Sequence, residues 1–84
     1  MTKTLTCHDT RKSFYGKAKQ ITKSNRILCQ SYDTIVGYIE NGIFHRTWKG
    51  YSATTMRHVN SFLIENGISG GGKKWWDSLP IETL

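Results

Sequence analysis

The chain has 84 residues and a net charge of +6, and a chain of this length is expected to form one domain with a small core. Three Trp, four Tyr and three Phe supply large rings for that core. No stretch approaches the roughly 18 apolar residues of a membrane span, and the start lacks the apolar run of a signal peptide. We therefore expect a soluble cytoplasmic protein that does not engage a membrane.

The excess positive charge lies in the first third of the chain. Residues 1–30 hold seven Lys and Arg against one Asp, whereas residues 31–84 hold equal numbers of basic and acidic residues. This distribution favours a polyanionic or acidic partner for the first third. A solvated basic face that only keeps the protein soluble is the alternative.

Ser24-Asn25 predicts a hairpin between strands over residues 15–22 and 26–32. Residues 3–7 are expected to add a short edge strand. The cross-strand pairing divides the side chains between two faces. One face receives Tyr15, Lys17, Lys19, Gln30 and Tyr32. The other receives the small residues Gly16, Ala18 and Ser31, which would admit a helix or a Trp.

Asn41-Gly42 is the preferred dipeptide of a type I′ turn and predicts a second hairpin between residues 34–40 and 43–48. Both strands are rich in β-branched and aromatic residues. The predicted pairs on the core side are Ile39 with Phe44, Gly37 with Arg46, and Ile35 with Trp48. The opposite face, expected to be half-exposed, carries Val36, Tyr38, His45 and Thr47.

A helix is predicted over residues 52–66, with Ser52 as its N-cap. Its apolar face is formed by Met56, Val59, Phe62 and Leu63. Its polar side is formed by Arg57, His58, Ser61 and Glu65. Asn66-Gly67 ends the helix, and Gly67 suits the left-handed position of a Schellman motif that places Ile68 against Leu63.

The C-terminal residues are predicted to form a flexible bend over 69–72 and one short helical turn over 73–79, which Pro80 stops. Adjacent tryptophans on one turn cannot face the same way, so one of Trp75 and Trp76 is expected in the core and the other at least partly exposed, where it could anchor a partner. The alternative, which the small core favours, is that both rings fill its ends. Residues 67–74 match the GxxxxGK pattern of a phosphate-binding loop. Lys74 replaces the Ser or Thr that would hold magnesium, and the segment follows a helix, so we expect no nucleotide loop.

These elements predict an α+β fold with a four- to five-stranded antiparallel sheet, one main helix packed on one face and a short C-terminal helical turn. Residues 1–84 are expected to form a single domain. Its parts are a β-meander over 1–48, the helix over 52–66, and a Gly-rich bend with a Trp-containing tail over 67–84.

No residue pattern predicts catalysis, so we expect a protein that is not an enzyme and has no cofactor. The histidines His8, His45 and His58 leave a small His-dependent RNase as an alternative, but its chemistry needs two groups at one phosphate, and His45 and His58 are predicted to point apart. Cys7 and Cys29 are expected to be reduced thiols. None of these five residues has the spacing of a zinc site, and no metal is expected.

The candidate binding residues combine cations with aromatic rings, as in surfaces that contact phosphates and stack bases. They are Arg11, Lys12, Tyr15, Lys17, Lys19, Lys23, Arg26, Tyr32, Lys73, Lys74, Trp75 and Trp76. This constellation predicts a non-catalytic binding protein without a small-molecule substrate. A stand-alone module for single-stranded nucleic acid is an alternative function, and an ordinary exposed strand face would carry the same outward Tyr and Lys side chains.

Three segments together resemble a family of small uncharacterised proteins of Gram-positive bacteria and their phages and plasmids. They are LTCHDTRKSFYGKA at residues 5–18, SYDTIV at residues 31–36, and residues 50–63 with GGKKWWDSLP at residues 71–80. The family carries no settled activity, so no residue role is carried over. The resemblance implies an accessory protein, in the cytoplasm of the bacterial host, that engages nucleic acid or a host nucleoprotein or defence complex. Inhibition of a defence effector, as by anti-CRISPR proteins, is the finer expectation.

Overall fold

The computed structural model describes residues 2–5 and 17–83. They form an antiparallel sheet of five strands in sequential order, followed by two helices. The elements are β1 (Thr2–Thr4), β2 (Ala18–Lys23), β3 (Arg26–Ser31), β4 (Thr34–Glu40), β5 (Ile43–Arg46), α1 (Ala53–Glu65) and α2 (Lys73–Ser78). The predicted α+β fold class, with one main helix and a short C-terminal helix, is confirmed.

Both predicted hairpin registers are present. Lys23 pairs with Arg26 across the Ser24-Asn25 turn, and Ile39 pairs with Phe44 across the Asn41-Gly42 turn. In the second turn Asn41 has φ 55° and Gly42 has φ 76°, which is the type I′ geometry that this dipeptide favours. The sheet is therefore a meander whose register is set by tight local turns.

Side chains alternate between two faces of the sheet, which we call the inner face, against α1, and the outer face, opposite to it. Ala18 and Cys29 are fully buried on the inner face. They join Phe62 and Leu63 of α1 and Trp76 of α2 in one core cluster. Among the described residues no helix covers the outer face.

One irregularity in the pairing of β3 with β4 overturns part of the predicted face assignment. Cys29 pairs with Gly37 but Gln30 pairs with Ile35, so Val36 is skipped, as in a β-bulge. Val36 then joins the core with 1% exposure, whereas it was predicted to be half-exposed. The predicted Ile35–Trp48 pair is not formed, because the backbone N–H groups of Thr47 and Trp48 both donate to Val36 O.

Helix α1 begins and ends as predicted. The Ser52 hydroxyl accepts a hydrogen bond from Thr55 N at 3.0 Å, which satisfies one unpaired donor of the first turn. At the other end Gly67 has φ 74°, and Ile68 N donates to Leu63 O at 2.9 Å. That bond and the one from Gly67 N to Ile64 O complete the Schellman motif.

A buried arginine joins the sheet to the C-terminal segment. The Arg46 guanidinium, on a residue 5% exposed, donates to the carbonyl oxygens of Trp48, Lys49 and Trp76 at 2.8, 2.9 and 2.9 Å. Its Cζ lies 4.6 Å from the centre of the Trp76 ring. These contacts satisfy the buried cation with backbone carbonyl groups, and they fix α2 against the end of β5.

Candidate binding surface on the outer sheet face

Three lysines follow the outer face of β2. Because Ala18 is buried on the inner face, alternation directs Lys17 and Lys19 outward, and Lys23 follows on the same side. Within the described residues none of the three lysines has an ion pair. We call Lys17, Lys19 and Lys23 the lysine row, and it leaves three cations available to an anionic ligand.

Two cations face each other at the end of the β2–β3 hairpin. Lys23 is the direct cross-strand partner of Arg26, and like charges in that position are destabilising. Arg26 is partly neutralised, because its Nε lies 3.4 Å from Glu40 Oε2 and its Cζ lies 4.4 Å from the centre of the Tyr38 ring. Within residues 2–5 and 17–83 the ammonium of Lys23 receives no such compensation.

An open groove of about 460 Å³ lies beside this pair of cations. Its lining combines an apolar side chain with amide, hydroxyl and charged groups, namely Lys23, Ser24, Asn25, Arg26, Leu28 and Glu40. We call this the hairpin groove. Its volume falls in the range of about 300–1,000 Å³ that is usual for small-molecule sites, so it can hold a group as large as a nucleobase.

The rest of the outer face is partly closed by its own side chains. Tyr38 was predicted to be half-exposed, but it is 3% exposed, because Arg26 covers one part of its ring and His45 stacks on it at 4.8 Å. His45 Nδ1 in turn lies 2.6 Å from Glu82 Oε2. The aromatic ring on this face is therefore structural and does not offer a stacking platform.

Tyr32 was predicted to share a face with Lys17 and Lys19, and this is wrong. Tyr32 begins the turn between β3 and β4 with φ 55°, a backbone conformation that removes it from the strand alternation. Its ring lies 5.6 Å from that of His58, on the inner side of the sheet. It remains 51% exposed, but at a different surface from the lysine row.

His58 was predicted on the polar side of α1 and instead lies in the interior with 1% exposure. Its Nδ1 lies 2.7 Å from Ser31 Oγ, which is also 3.1 Å from Thr55 Oγ1. Burial, with the nearby charge of Arg57 second, lowers the pKa of His58. Ser61 of the predicted polar side is buried as well, because α1 presents a wider face to the sheet than its apolar residues alone indicate.

The histidine pair of the RNase hypothesis is divided by the sheet. His45 lies on the outer face, while His58 lies beneath the inner face. A serine hydroxyl 2.7 Å from an imidazole nitrogen has the spacing of a nucleophile and its base, but Ser31 is 3% exposed. The geometry gives this serine a role in joining α1 to β3.

The two tryptophans lie in different environments. Trp76 is fully buried, and its indole N–H donates to Gly50 O at 2.8 Å, so as placed it is a core residue that cannot anchor a partner. Trp75 is half-buried and its ring lies 5.8 Å from that of Phe44. Of the predicted anchors only Trp75 retains an accessible edge.

The tail lysines form a second basic surface. Lys73 and Lys74 are both exposed. Lys73 pairs with Asp77 at 2.6 Å and lies 5.5 Å from the centre of the Tyr51 ring. Because α2 packs against β5, three strand positions from β2, the structure does not join these lysines to the lysine row. The predicted set of binding residues thus divides into two surfaces.

Some predicted residues are not part of the described chain. Arg11, Lys12 and Tyr15, together with Cys7 and His8, lie outside it. Cys29 is a free thiol buried in the core, where burial raises its pKa and so disfavours the reactive thiolate. Over residues 2–5 and 17–83 no group of His, Cys, Asp or Glu side chains could hold a metal ion.

Four groove residues were not among the predicted binding residues: Ser24, Asn25, Leu28 and Glu40. The first three follow directly from the hairpin that the sequence predicts around Ser24-Asn25. Glu40 belongs to the next hairpin, and only the pairing of β3 with β4 brings it to the groove.

One of three comparisons with known proteins identifies a family. No curated protein and no solved structure is significantly similar to the chain. Within the described residues, neither helix has the length and apolar character needed to cross a membrane. One family model, described as a family of unknown function (DUF8033), matches residues 2–78. The match covers most of the 84 residues, and the chain therefore belongs to that family.

Proposed function

We propose that this protein is a non-catalytic binder of nucleic acid and that the outer face of the β2–β3 hairpin is its binding surface. The observation that supports the proposal most strongly is the lysine row, whose three cations have no ion pair among the described residues. Unpaired lysines along one strand offer contacts to a line of phosphates.

The like-charge pair of Lys23 and Arg26 supports the same function. A stable fold gains nothing from two cations opposite each other, but an anionic ligand would be attracted to both. The inner face shows the contrast, because the buried Arg46 guanidinium donates to backbone carbonyl groups. In its wider form, the proposal is that this surface engages a host nucleoprotein or defence complex, which is the accessory role that the resemblance implies.

The test is the binding of a fluorescein-labelled single-stranded oligonucleotide, measured by anisotropy over a range of salt concentrations. The wild type is compared with Lys19→Glu/Lys23→Glu and with the matched control Lys49→Glu/Lys74→Glu. Both double variants change the net charge equally, and both use exposed or half-exposed lysines without an ion pair among the described residues.

We expect the outer-face variant to lose binding, and the control to retain most of it. Three phosphate contacts predict that log K falls against log salt with a slope of about −2. Absence of binding at low salt would refute the proposal. Equal losses of affinity in both variants would show that binding depends on net charge and not on the outer face. Selective loss in the control would move the site to α2.

A further inference from the structure

We propose that the ligand is an extended single strand, with its phosphates along the lysine row and one base in the hairpin groove, and that Glu40 selects a base with an amino group such as cytosine. This inference rests on the proposed function, and it adds the form of the nucleic acid and a base preference. It joins two features that lie next to each other, because Lys23 belongs to both the lysine row and the groove lining.

The lysine row has the spacing of a backbone contact. Side chains two residues apart on one face of a strand are separated by about 6.8 Å, which is similar to the separation of successive phosphates along an extended single strand. Lys17 and Lys19 are one such step apart. Ile21 interrupts the row before Lys23, and it pairs with Leu28 of β3. A single strand can therefore follow β2 with phosphates on lysines and apolar contact between them.

The groove can accept the flat face of a base. Leu28 is half-buried and supplies the apolar part of the groove lining; its cross-strand partner Ile21 lies beside the groove on the same face. Ser24 and Asn25 supply a hydroxyl and an amide at the rim. A base can enter such a groove only when it is unpaired and unstacked, which favours a single strand over a duplex.

Glu40 gives the groove a preference for bases that carry an amino group. Its carboxylate lies 3.4 Å from Arg26 Nε, which holds an acceptor in the groove wall. A carboxylate accepts a hydrogen bond from the N4 amino group of cytosine, whereas thymine and uracil present a carbonyl oxygen at the same position. Glu40 would repel that oxygen, so the groove discriminates by repulsion as well as attraction.

The experiment compares short labelled oligo(dC) and oligo(dT) by anisotropy at neutral pH, with wild type and with Glu40→Gln. We expect the wild type to bind oligo(dC) about tenfold more tightly than oligo(dT). Glu40→Gln removes one negative charge and can also donate to a carbonyl oxygen. It should bind both oligonucleotides more tightly while the ratio of their affinities falls toward one.

The change in ratio separates base contact from simple electrostatics, because a purely electrostatic Glu40 would leave the ratio unchanged. Ile43→Gln is the matched control, since Ile43 is exposed on the outer face but does not line the groove, and it should preserve the ratio. Circular dichroism checks that both variants are folded.

The outcomes distinguish this inference from the proposed function. Equal affinity for the two oligonucleotides, an unchanged ratio in Glu40→Gln, or tighter binding of a duplex would overturn the single-strand groove and leave the lysine row in place. Absence of binding to every oligonucleotide at low salt would overturn both.

Discussion

The two faces of the sheet place their cations in opposite environments. On the inner face the Arg46 guanidinium is enclosed and donates to several backbone carbonyl groups. On the outer face Lys19 and Lys23 have no ion pair among the described residues, and Lys23 faces another cation. The inner cation Arg46 contributes to the fold, whereas the outer cations Lys19 and Lys23 remain available for a ligand.

The comparison matters because sequence charge alone does not separate these roles. Arg46 and Arg26 are both strand arginines on neighbouring hairpins, and burial distinguishes them. Arg46 is 5% exposed, whereas the Arg26 side chain is 36% exposed and forms one long ion pair of 3.4 Å. The basic residues of a small domain therefore have to be assigned to a face before they are assigned to a function.

The largest expected effect is at the inner cation. Arg46→Met leaves the carbonyl groups of Trp48, Lys49 and Trp76 without their donor, and each unsatisfied buried group costs about 1–3 kcal/mol. We expect a loss of about 4 kcal/mol in the free energy of unfolding, measured by urea denaturation with tryptophan fluorescence. Arg26→Met on the outer face is the control and should cost less than about 1 kcal/mol. Similar losses in both variants would remove the distinction between the faces.

Tyr38 is buried although it lies on the outer face. It therefore tests whether the contribution of a side chain to stability depends on its burial or on the face of the sheet that it occupies. Tyr38→Ala should cost about 3 kcal/mol, as expected for truncation of a buried ring. Ile43→Ala, on the same face with 61% exposure, should change stability by less than about 0.5 kcal/mol. Urea denaturation of the two variants measures the difference, and a small loss for Tyr38→Ala would mean that the packing of Arg26 and His45 around it is weak.

The buried histidine predicts a pH dependence of the inner face. Because its pKa is lowered in the folded state, the unfolded chain binds more protons near its ordinary pKa of about 6.5. Stability should therefore be complete above about pH 6.5 and fall as the pH decreases, by at most about 1.4 kcal/mol per pH unit.

Urea denaturation at a series of pH values measures this slope. His58→Gln should flatten this dependence of the free energy of unfolding on pH. A slope that survives in His58→Gln would assign the pH dependence to other groups.

The smallest expected effect has the opposite sign. Lys23→Glu replaces a like-charge cross-strand pair by an ion pair with Arg26, which should stabilise the fold by about 0.2–1 kcal/mol. The same change should weaken oligonucleotide binding, so stability and binding would move in opposite directions. Lys49→Glu, which has no such cation opposite it among the described strand pairs, should leave both nearly unchanged. A loss of stability in Lys23→Glu would contradict the assignment of Lys23 to a ligand.

Features set by neighbouring residues were predictable from the sequence. The Ser52 cap, the Gly67 stop and the two-residue turns depend on local backbone chemistry, and each is found where the sequence places it. The outward direction of Lys17 and Lys19 follows from the alternation of side chains along a strand. The fold class and the lysine row were therefore predictable from local features.

Features set by contacts between distant residues were not predictable. The bulge at Cys29 and Gln30 depends on how β3 pairs with β4, and it moved Val36 into the core. His58 of α1 is buried because Ser31 of β3 supplies a hydrogen-bond partner. Glu40 reaches the hairpin groove from a separate hairpin, so the sequence indicated the cations of the site without its acceptor.

The most direct test of the difference between the faces is a nitrogen-15 NMR titration with a single-stranded oligonucleotide, in which backbone amide shifts locate the contact. We expect shift changes concentrated on β2, on the Ser24-Asn25 turn and at Glu40, with α1 and α2 nearly unaffected. Shift changes concentrated on Lys73, Lys74 and Trp75, or spread evenly over both faces, would contradict this expectation.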